Sequence, residues 1–201
     1  IYETIADTGG AGKNRCGNGL RIGYRFLEPG EISIHDDRWL TYPWGVNGGL
    51  PGARSKKTLV RKDGTTENLP SKIDHIKVEA NDLLVSDTWG GGGWGNPLER
   101  SAEQVAFDVE AGLVSVEGAK RYGVVVKADG GLDTAATEAL RKSMGAKRGP
   151  KKIFDRGFDS IEELKARCKA ETGLEPPKPP QFTKWAKVAA AALTKKAAQA
   201  A

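Results

Sequence analysis

The residues best suited to do chemistry in this sequence lie among glycines. The first glycine segment, Thr8 to Gly19, contains five glycines, with Lys13 and Arg15 between them. Glycine permits backbone conformations and close approaches that a side chain would block, and the two basic side chains add hydrogen-bond donors. The segment predicts either a loop that binds an anion or substrate, or a tight bulged connection between strands. It is a poor match to a P-loop, because no Gly-Lys-Ser/Thr triplet opens a helix.

Two further glycine segments follow. The second glycine segment covers residues 44–53, and the third covers residues 90–100 and begins with four successive glycines between Trp89 and Trp94. Ordering four glycines costs much conformational entropy, so a neighbouring segment or a ligand is expected to require a backbone without side chains there. Because large aromatic side chains bury much area, we expect the run to pack against another chain segment and not to be a free linker.

Other reactive residue types lack partners at a useful spacing. His35, Asp36 and Asp37 are adjacent, and adjacent strand residues point to opposite faces, so a solvated hairpin end is predicted instead of a metal site. His75 has no spaced Cys or His partner, and Cys16 could be a nucleophile only with a base that the sequence does not place. No catalytic residue or metal ligand is therefore assigned. The candidate substrate, anion or interface residues are Gly9, Gly10, Gly12, Lys13, Arg15, Gly90, Gly91, Gly92 and Gly93.

The charge distribution argues against a nucleic-acid partner. The net charge is +5, but five of the 31 basic residues lie between Pro176 and Ala201, where there is no acid, so the rest of the chain carries 26 basic and 26 acidic residues. A balanced body offers no evident phosphate-binding surface. No apolar run approaches the roughly 18 residues of a membrane span. The two distant cysteines, Cys16 and Cys168, indicate reduced thiols and a cytoplasmic location.

The secondary structure that must position these segments is predicted to change from strands to helices near Trp89. Period-two alternation predicts strands near 20–26, 31–35, 57–61, 73–78 and 82–89, with a hairpin joining the first two and another turning at Asp63-Gly64. Capping residues then predict helices after Ser101, after Asp133 or Thr134, and after Ser160, with a short helix from Ser115 to Gly123 and a buried strand at 124–126.

These patterns predict an α+β fold: a β-rich sandwich-like or irregular barrel unit, followed by short helices and a basic helical tail. The expected organisation is a β-rich glycine-loop domain at 1–96, a small helical or α+β extension at 97–146, a linker with one helix at 147–180 and an Ala/Lys-rich tail at 181–201.

The three glycine segments, in their order and spacing, resemble the C-terminal region of the hydantoinase B/oxoprolinase family. The runs that carry the resemblance are Gly-Gly-Ala-Gly-Lys-Asn-Arg from Gly9, Trp-Gly-Val-Asn-Gly-Gly-Leu-Pro-Gly from Trp44 and Gly-Gly-Gly-Gly-Trp-Gly-Asn-Pro from Gly90, and it extends from Gly9 to Val126. The sequence departs from the family pattern at Cys16 and Asn18, where glycine is usual, and at Asn96, where aspartate is usual.

The resemblance implies one part of a large two-component enzyme. In such an enzyme a hydantoinase A-like chain binds ATP, and the B-like chain, whose N-terminal part holds the family's acidic and histidine metal ligands, helps to hydrolyse a cyclic amide. The chain is then expected to be the C-terminal part or a split subunit of the B-like component. Its expected partners are the remainder of that component, the A-like chain and a small-molecule substrate, with ATP and a divalent metal in the full complex.

Three functions follow as alternatives from this resemblance and from the missing catalytic set. The first is a cyclic-amide hydrolase of the hydantoinase, oxoprolinase or lactamase type. The second is an ATP-dependent ketone carboxylase, because related assemblies carboxylate acetone or acetophenone. The third is a non-catalytic assembly module whose loops only pack against partner chains. None of the three predicts activity from this chain alone.

Overall fold

The computed structural model describes residues 1–178, which form an α+β structure of antiparallel sheets and three α-helices. The helices are α1 (Ala102–Glu110), α2 (Thr134–Lys147) and α3 (Ile161–Thr172). The strands are β1 (Tyr2–Thr4), β2 (Leu20–Arg25), β3 (Gly30–His35), β4 (Gly45–Val46), β5 (Lys56–Val60), β6 (Thr66–Leu69), β7 (Lys72–Val78), β8 (Leu83–Asp87) and β9 (Phe154–Asp155). Short 3-10 turns cover Pro97–Glu99 and Gly118–Tyr122.

The β-rich part has two layers. Five strands form one antiparallel sheet in the order β1-β2-β8-β5-β6, while β3 and β7 pair separately. A core of five buried side chains joins the sheet to the pair, namely Ile34, Leu59, Leu69, Ile76 and Val78. This arrangement confirms the sandwich-like alternative, and the strands of the described part do not close into a barrel.

The hairpin predicted between 20–26 and 31–35 is wrong. Strand β2 pairs with β1 and β8, and β3 crosses to the other layer, where it pairs with β7. In that pairing Ile32 lies opposite Ile76 and Ile34 lies opposite Ile73. Cross-strand apolar pairs of this kind stabilise a sheet, and a local hairpin with β2 would not bring these isoleucines together. The hairpin predicted at Asp63-Gly64 is confirmed, because it joins β5 to β6.

The helical part covers a second core. Val105, Val114, Tyr122 and Val124 are buried together there with Ala11 of the first glycine segment. The predicted caps are confirmed: Ser101 and Ser160 accept hydrogen bonds from the N–H groups of Gln104 and Glu163, and Asp133 accepts one from Ala136. These side-chain oxygens pair N–H groups that have no partner inside the helix.

The strand predicted at 124–126 is also wrong. Only Val126 forms an isolated bridge, with Leu132, and Val124 is buried in the helical core. The N–H of Val125 is instead paired with the hydroxyl of Thr137 at 3.0 Å. Val124 and Val126 are buried, as the valine pattern predicts, but the residues around them supply helices and not a sheet edge.

Residues 147–178 pack against the β-rich part. Strand β9 pairs with β4, and the carboxylate of Glu171 accepts hydrogen bonds from the hydroxyl of Tyr42 at 2.6 Å and from Arg54. Burial and the hydrogen bond to Glu171 raise the pKa of Tyr42 above its usual range. In α3, Leu164 and Cys168 are buried, whereas Ile161 is more than half exposed.

The Ala/Lys-rich tail predicted at 181–201 lies outside the described residues, and so do its aromatic residues Phe182 and Trp185. Among the residues that the structure describes, no helix is long and apolar enough to cross a bilayer.

Candidate functional site

The three glycine segments come together as one backbone layer, with the third segment between the other two. The N–H of Gly10 donates to the carbonyl of Gly91 at 2.7 Å, and the N–H of Gly93 donates to the carbonyl of Leu50 at 2.9 Å. The N–H of Leu50 donates in turn to the carbonyl of Ala11 at 2.7 Å, which links the second segment directly to the first. Segments far apart in sequence thus satisfy one another's buried backbone groups.

Side chains would not fit between these segments. A Cβ at Gly12 would lie 2.5 Å from the carbonyl oxygen of Trp94, and one at Gly52 would lie 2.5 Å from that of Gly91. The remaining candidate glycines are packed in the same way against backbone atoms or the Cys16 side chain, namely Gly9, Gly10, Gly90, Gly91, Gly92 and Gly93. Close backbone packing explains these glycines without a ligand, and it confirms that the four-glycine run is not a free linker.

The two flanking tryptophans do not anchor this run in the way predicted. Trp89 and Trp94 were expected to fix it by burial, but their side chains are 40% and 47% exposed. The run is held by its backbone hydrogen bonds and by contact with Thr8, Trp44 and Ala11. The interaction is therefore between main chains, and the indoles are left at the surface.

The side chain of Arg15 takes part in an ion-pair cluster inside the chain, so its guanidinium does not point into solvent as an anion-binding donor. Its Nε lies 3.4 Å from the carboxylate of Asp108 in α1, and Arg100 donates to the same carboxylate at 2.9 and 3.2 Å. The side chain of Asp108 is 6% exposed and those of both arginines are 15% exposed. Arg100 also donates to the carbonyl of Lys13 at 3.3 Å. The cluster joins the first glycine segment to α1.

Lys13 faces a different environment. Its side chain is about half exposed, and its ammonium lies 4.0 Å from the carboxylate of Glu99. It lines an open cleft of about 400 Å³ together with Gly48, Asn96, Arg148 and Lys151. The structure thus separates the two basic residues of the first segment, with Lys13 at this cleft and Arg15 inside the protein.

Sequence reasoning missed the partners of both residues. Asp108 and Arg100 match the family pattern, but the sequence assigns neither of them a role, and Arg148 and Lys151 lie in a stretch that is predicted to be a polar linker. A usable signal was present in that stretch, because four of its six residues from Lys147 to Lys152 are basic. No local pattern could have indicated that α1 supplies the acid for Arg15.

The three departures from the family pattern each have a structural role. The sulfur of Cys16 lies over Gly91, where a side chain on that glycine would otherwise fit. Asn18 accepts from the N–H of Gly9 at 2.9 Å and donates to the carbonyl of Leu113 at 2.7 Å, so it joins the first segment to the helical part. Asn96 accepts from the N–H of Leu98 at 3.1 Å and caps the turn in the last part of the third segment.

The residues whose side chains could bind a metal each have a separate partner and do not meet at one point. His35 pairs with Asp74 at 2.9 Å, whereas the neighbouring Asp36 and Asp37 pair with two different lysines. His75 pairs with Glu31. Within residues 1–178 no group of three or more His, Cys, Asp and Glu side chains is placed to share a metal ion. The described residues therefore do not fit the divalent metal that the family resemblance implies.

Comparison with known proteins shows similarity to one family. Residues 1–97 match the family model of hydantoinase B/oxoprolinase. The chain is 33% identical over 147 residues to the caprolactamase beta chain of Pseudomonas jessenii, with 70% of this chain and 25% of that protein aligned. It is 33% identical over 144 residues to the B component of a putative D-/L-hydantoinase of Pseudomonas sp. strain NS671, with 70% and 24% aligned.

A third relative is the acetone carboxylase alpha chain of Xanthobacter autotrophicus, 29% identical over 195 residues, with 74% of this chain and 24% of that protein aligned. The chain thus spans about a quarter of the length of these relatives. Among solved structures, the ATP-dependent caprolactamase from Pseudomonas jessenii superimposes with a TM-score of 0.58 at 30% identity, over 71% of this chain and 25% of that one. The order of the glycine segments, the family match over residues 1–97 and the shared fold agree, and they relate the chain to the hydantoinase B/oxoprolinase family.

Proposed function

We propose that this chain works as the C-terminal part, or a split subunit, of the B-type component of an ATP-dependent cyclic-amide hydrolase. The observation that carries the proposal is the 33% identity to the caprolactamase beta chain over 70% of this chain. The matching identity to the B component of a hydantoinase and the fold likeness to an ATP-dependent caprolactamase support the same class. The proposed substrate is a lactam or a hydantoin.

The proposed partners are the remainder of the B-type component and a hydantoinase A-like chain that binds ATP. Two of the relatives are named as single subunits, beta in one and B in the other, which supports a partner subunit. We place the complex in the cytoplasm, because both cysteines of the chain are free thiols, as expected in a reducing compartment. We propose the domain organisation given by the sequence, with the glycine segments in the β-rich domain as the rigid centre.

This chain's contribution is structural support and not a complete set of reacting groups. The described residues offer no metal cluster, and the glycine segments are closed by contacts within the chain. We therefore assign ATP and the divalent metal to the full complex and derive no step through either. The packed glycine layer would hold the surface residues next to it at a fixed geometry. A site built on rigid elements requires such a fixed geometry.

A ketone carboxylase is the second candidate, supported by the relation to the acetone carboxylase alpha chain over 74% of this chain. The hydrolase is favoured because both its relatives have higher identity to the chain. A non-catalytic assembly module is the third.

The test is to express the tagged chain in its native cells, identify the proteins that copurify and assay the purified complex with ATP. ATP-dependent opening of a lactam or hydantoin is the expected result. ATP-dependent incorporation of labelled bicarbonate into acetone or acetophenone, without amide hydrolysis, would select the carboxylase. A complex that contains an A-like chain but has neither activity would support the third candidate, the non-catalytic assembly module.

A further inference from the structure

Three basic side chains from distant parts of the sequence meet at one cleft. Lys13 comes from the first glycine segment, whereas Arg148 and Lys151 follow α2. Among the described residues that line the cleft, Glu99 is the one acid. Its carboxylate lies 4.0 Å from the Lys13 ammonium, and that distance leaves the pair loosely associated. The cleft therefore carries a net positive charge of two.

The space above Gly48 lies next to two of these basic side chains, those of Arg148 and Lys151. A Cβ built on Gly48 would lie 3.5 Å from Cγ of Lys151, 3.6 Å from Nη2 of Arg148 and 3.8 Å from the backbone nitrogen of Asn96. Gly48 has a φ of 92°, a conformation in which a side chain is strained. The absent side chain leaves room next to a guanidinium group, a lysine stem and a main-chain nitrogen.

Other elements hold these groups in place. The guanidinium of Arg148 donates to the carbonyl of Gly48, and the N–H of Gly48 donates to the carbonyl of Lys152 at 2.9 Å. Asn96 is positioned by the turn that it caps. The guanidinium of Arg148 and the backbone nitrogen of Asn96 are thus held by contacts within the chain, so binding an ion beside them would need little ordering of these two donors.

We propose that this cleft binds an oxyanion, a phosphate or carboxylate group carried by a small molecule. Guanidinium and ammonium groups are the side chains that pair most strongly with such oxyanions. The cleft volume of about 400 Å³ suits a small ligand. The proposed enzyme function rests on sequence identity and fold, whereas this proposal rests on the charges and geometry of the cleft. Either proposal therefore holds or fails without the other.

The test is a titration of the full chain with sodium phosphate and, separately, with sodium acetate, followed by ¹H–¹⁵N NMR. Sodium chloride keeps the ionic strength constant. Saturable shifts of the amide signals of Gly48 and Asn96 are expected with at least one of the two anions. A response to phosphate alone identifies a phosphate-bearing ligand, and a response to acetate alone identifies a carboxylate.

Charge-reversal variants provide the decisive comparison. Lys151→Glu should weaken the binding about tenfold or more, because it replaces an attraction at close range by a repulsion. Lys77→Glu, on an exposed position of β7, is the matched control and should leave the binding unchanged. The proposal is overturned if neither anion gives saturable shifts, if the shifts match those in chloride alone, or if both variants bind as the unaltered chain does.

Discussion

The Asp108 carboxylate balances two largely buried arginines, so its removal is expected to lower the stability of the fold. Replacing Asp108 by alanine leaves Arg15 and Arg100 without their shared partner. Loss of one partner from a buried ionic cluster costs about 3 kcal/mol or more. In a chain of this size, this corresponds to a fall of roughly 6–12 °C in Tm. Thermal and urea unfolding of Asp108→Ala measure both quantities.

A surface aspartate gives the comparison for this prediction. Asp159 pairs with Lys152 at 3.3 Å, but its side chain is 88% exposed. Exposed ion pairs contribute at most about 1 kcal/mol, so Asp159→Ala should change the stability little. Equal small losses in the two variants would show that the Asp108 cluster does not join the glycine segment to α1 as the structure indicates.

Asp82 predicts a pH dependence of stability. Its carboxylate is nearly fully buried and accepts from the backbone N–H groups of Glu79 at 3.0 Å and Lys62 at 2.9 Å, and from Arg61 at 3.1 Å. The backbone hydrogen bond from Glu79 is the main cause that lowers the pKa of Asp82, with smaller contributions from Lys62 and Arg61. A carboxylate with a lowered pKa stabilises the fold above its unfolded-state pKa of about 3.9. That stabilisation is lost as the pH falls through the folded-state pKa.

The expected result is that Asp82→Asn unfolds at a lower temperature than the unaltered chain at pH 7, and that the difference shrinks as the pH falls below about 4. Thermal unfolding of both proteins between pH 7 and pH 2 tests this. Asp37→Asn is the control, because Asp37 is 79% exposed and should show little difference at any pH. A constant difference between Asp82→Asn and the unaltered chain across the range would contradict the lowered pKa.

At the scale of elements, the glycine layer predicts that two glycines, one in the third segment and one in the first, respond differently to alanine. A Cβ on Gly92 would overlap the carbonyl group of Trp44, whereas a Cβ on Gly17 meets no atom within 4 Å. Overpacking costs about 1–3 kcal/mol or more, so Gly92→Ala should lose at least that much stability. Gly17→Ala should stay within about 0.5 kcal/mol of the unaltered chain. Denaturant unfolding of the two variants distinguishes a close-packed layer from a flexible linker, which would tolerate both.

The contact between the first and third segments predicts a rescue. A Cβ on Gly91 would overlap the sulfur of Cys16, which stands where glycine is usual in the family. Gly91→Ala should therefore destabilise the chain by about 1–3 kcal/mol. Adding Cys16→Gly should recover most of this loss, because neighbouring substitutions that share a contact are not additive. A double variant whose loss equals the sum of the two single losses would show that the segments do not meet at this point.

At the scale of the whole molecule, we expect the isolated chain to be inactive. It spans about a quarter of the length of its relatives, and its described residues provide no metal cluster. Purified chain given ATP, a divalent metal and a lactam or hydantoin should release no ring-opened product, which chromatography would detect. Turnover by this preparation would disprove the proposed dependence on other chains, and partner proteins purified alone are the control.

Local sequence patterns determined a large part of this fold. Helix caps at Ser101, Asp133 and Ser160 depend on contacts within four residues, so the sequence located them correctly. The Asp63-Gly64 hairpin is local for the same reason. The packing of the four-glycine run could also be predicted, because four adjacent glycines in a folded protein require close neighbours.

The tertiary structure alone decided which segments meet. Strand β3 pairs with β7 and not with β2, because the isoleucines of β3 and β7 are buried between two layers that no local pattern describes. Arg15 and Lys13 are two residues apart, yet one is paired with Asp108 inside the protein and the other lies at the open cleft. Attraction between charges depends on distance in space. Only the folded chain brings Asp108 to Arg15, and only the fold places Arg148 and Lys151 beside Gly48.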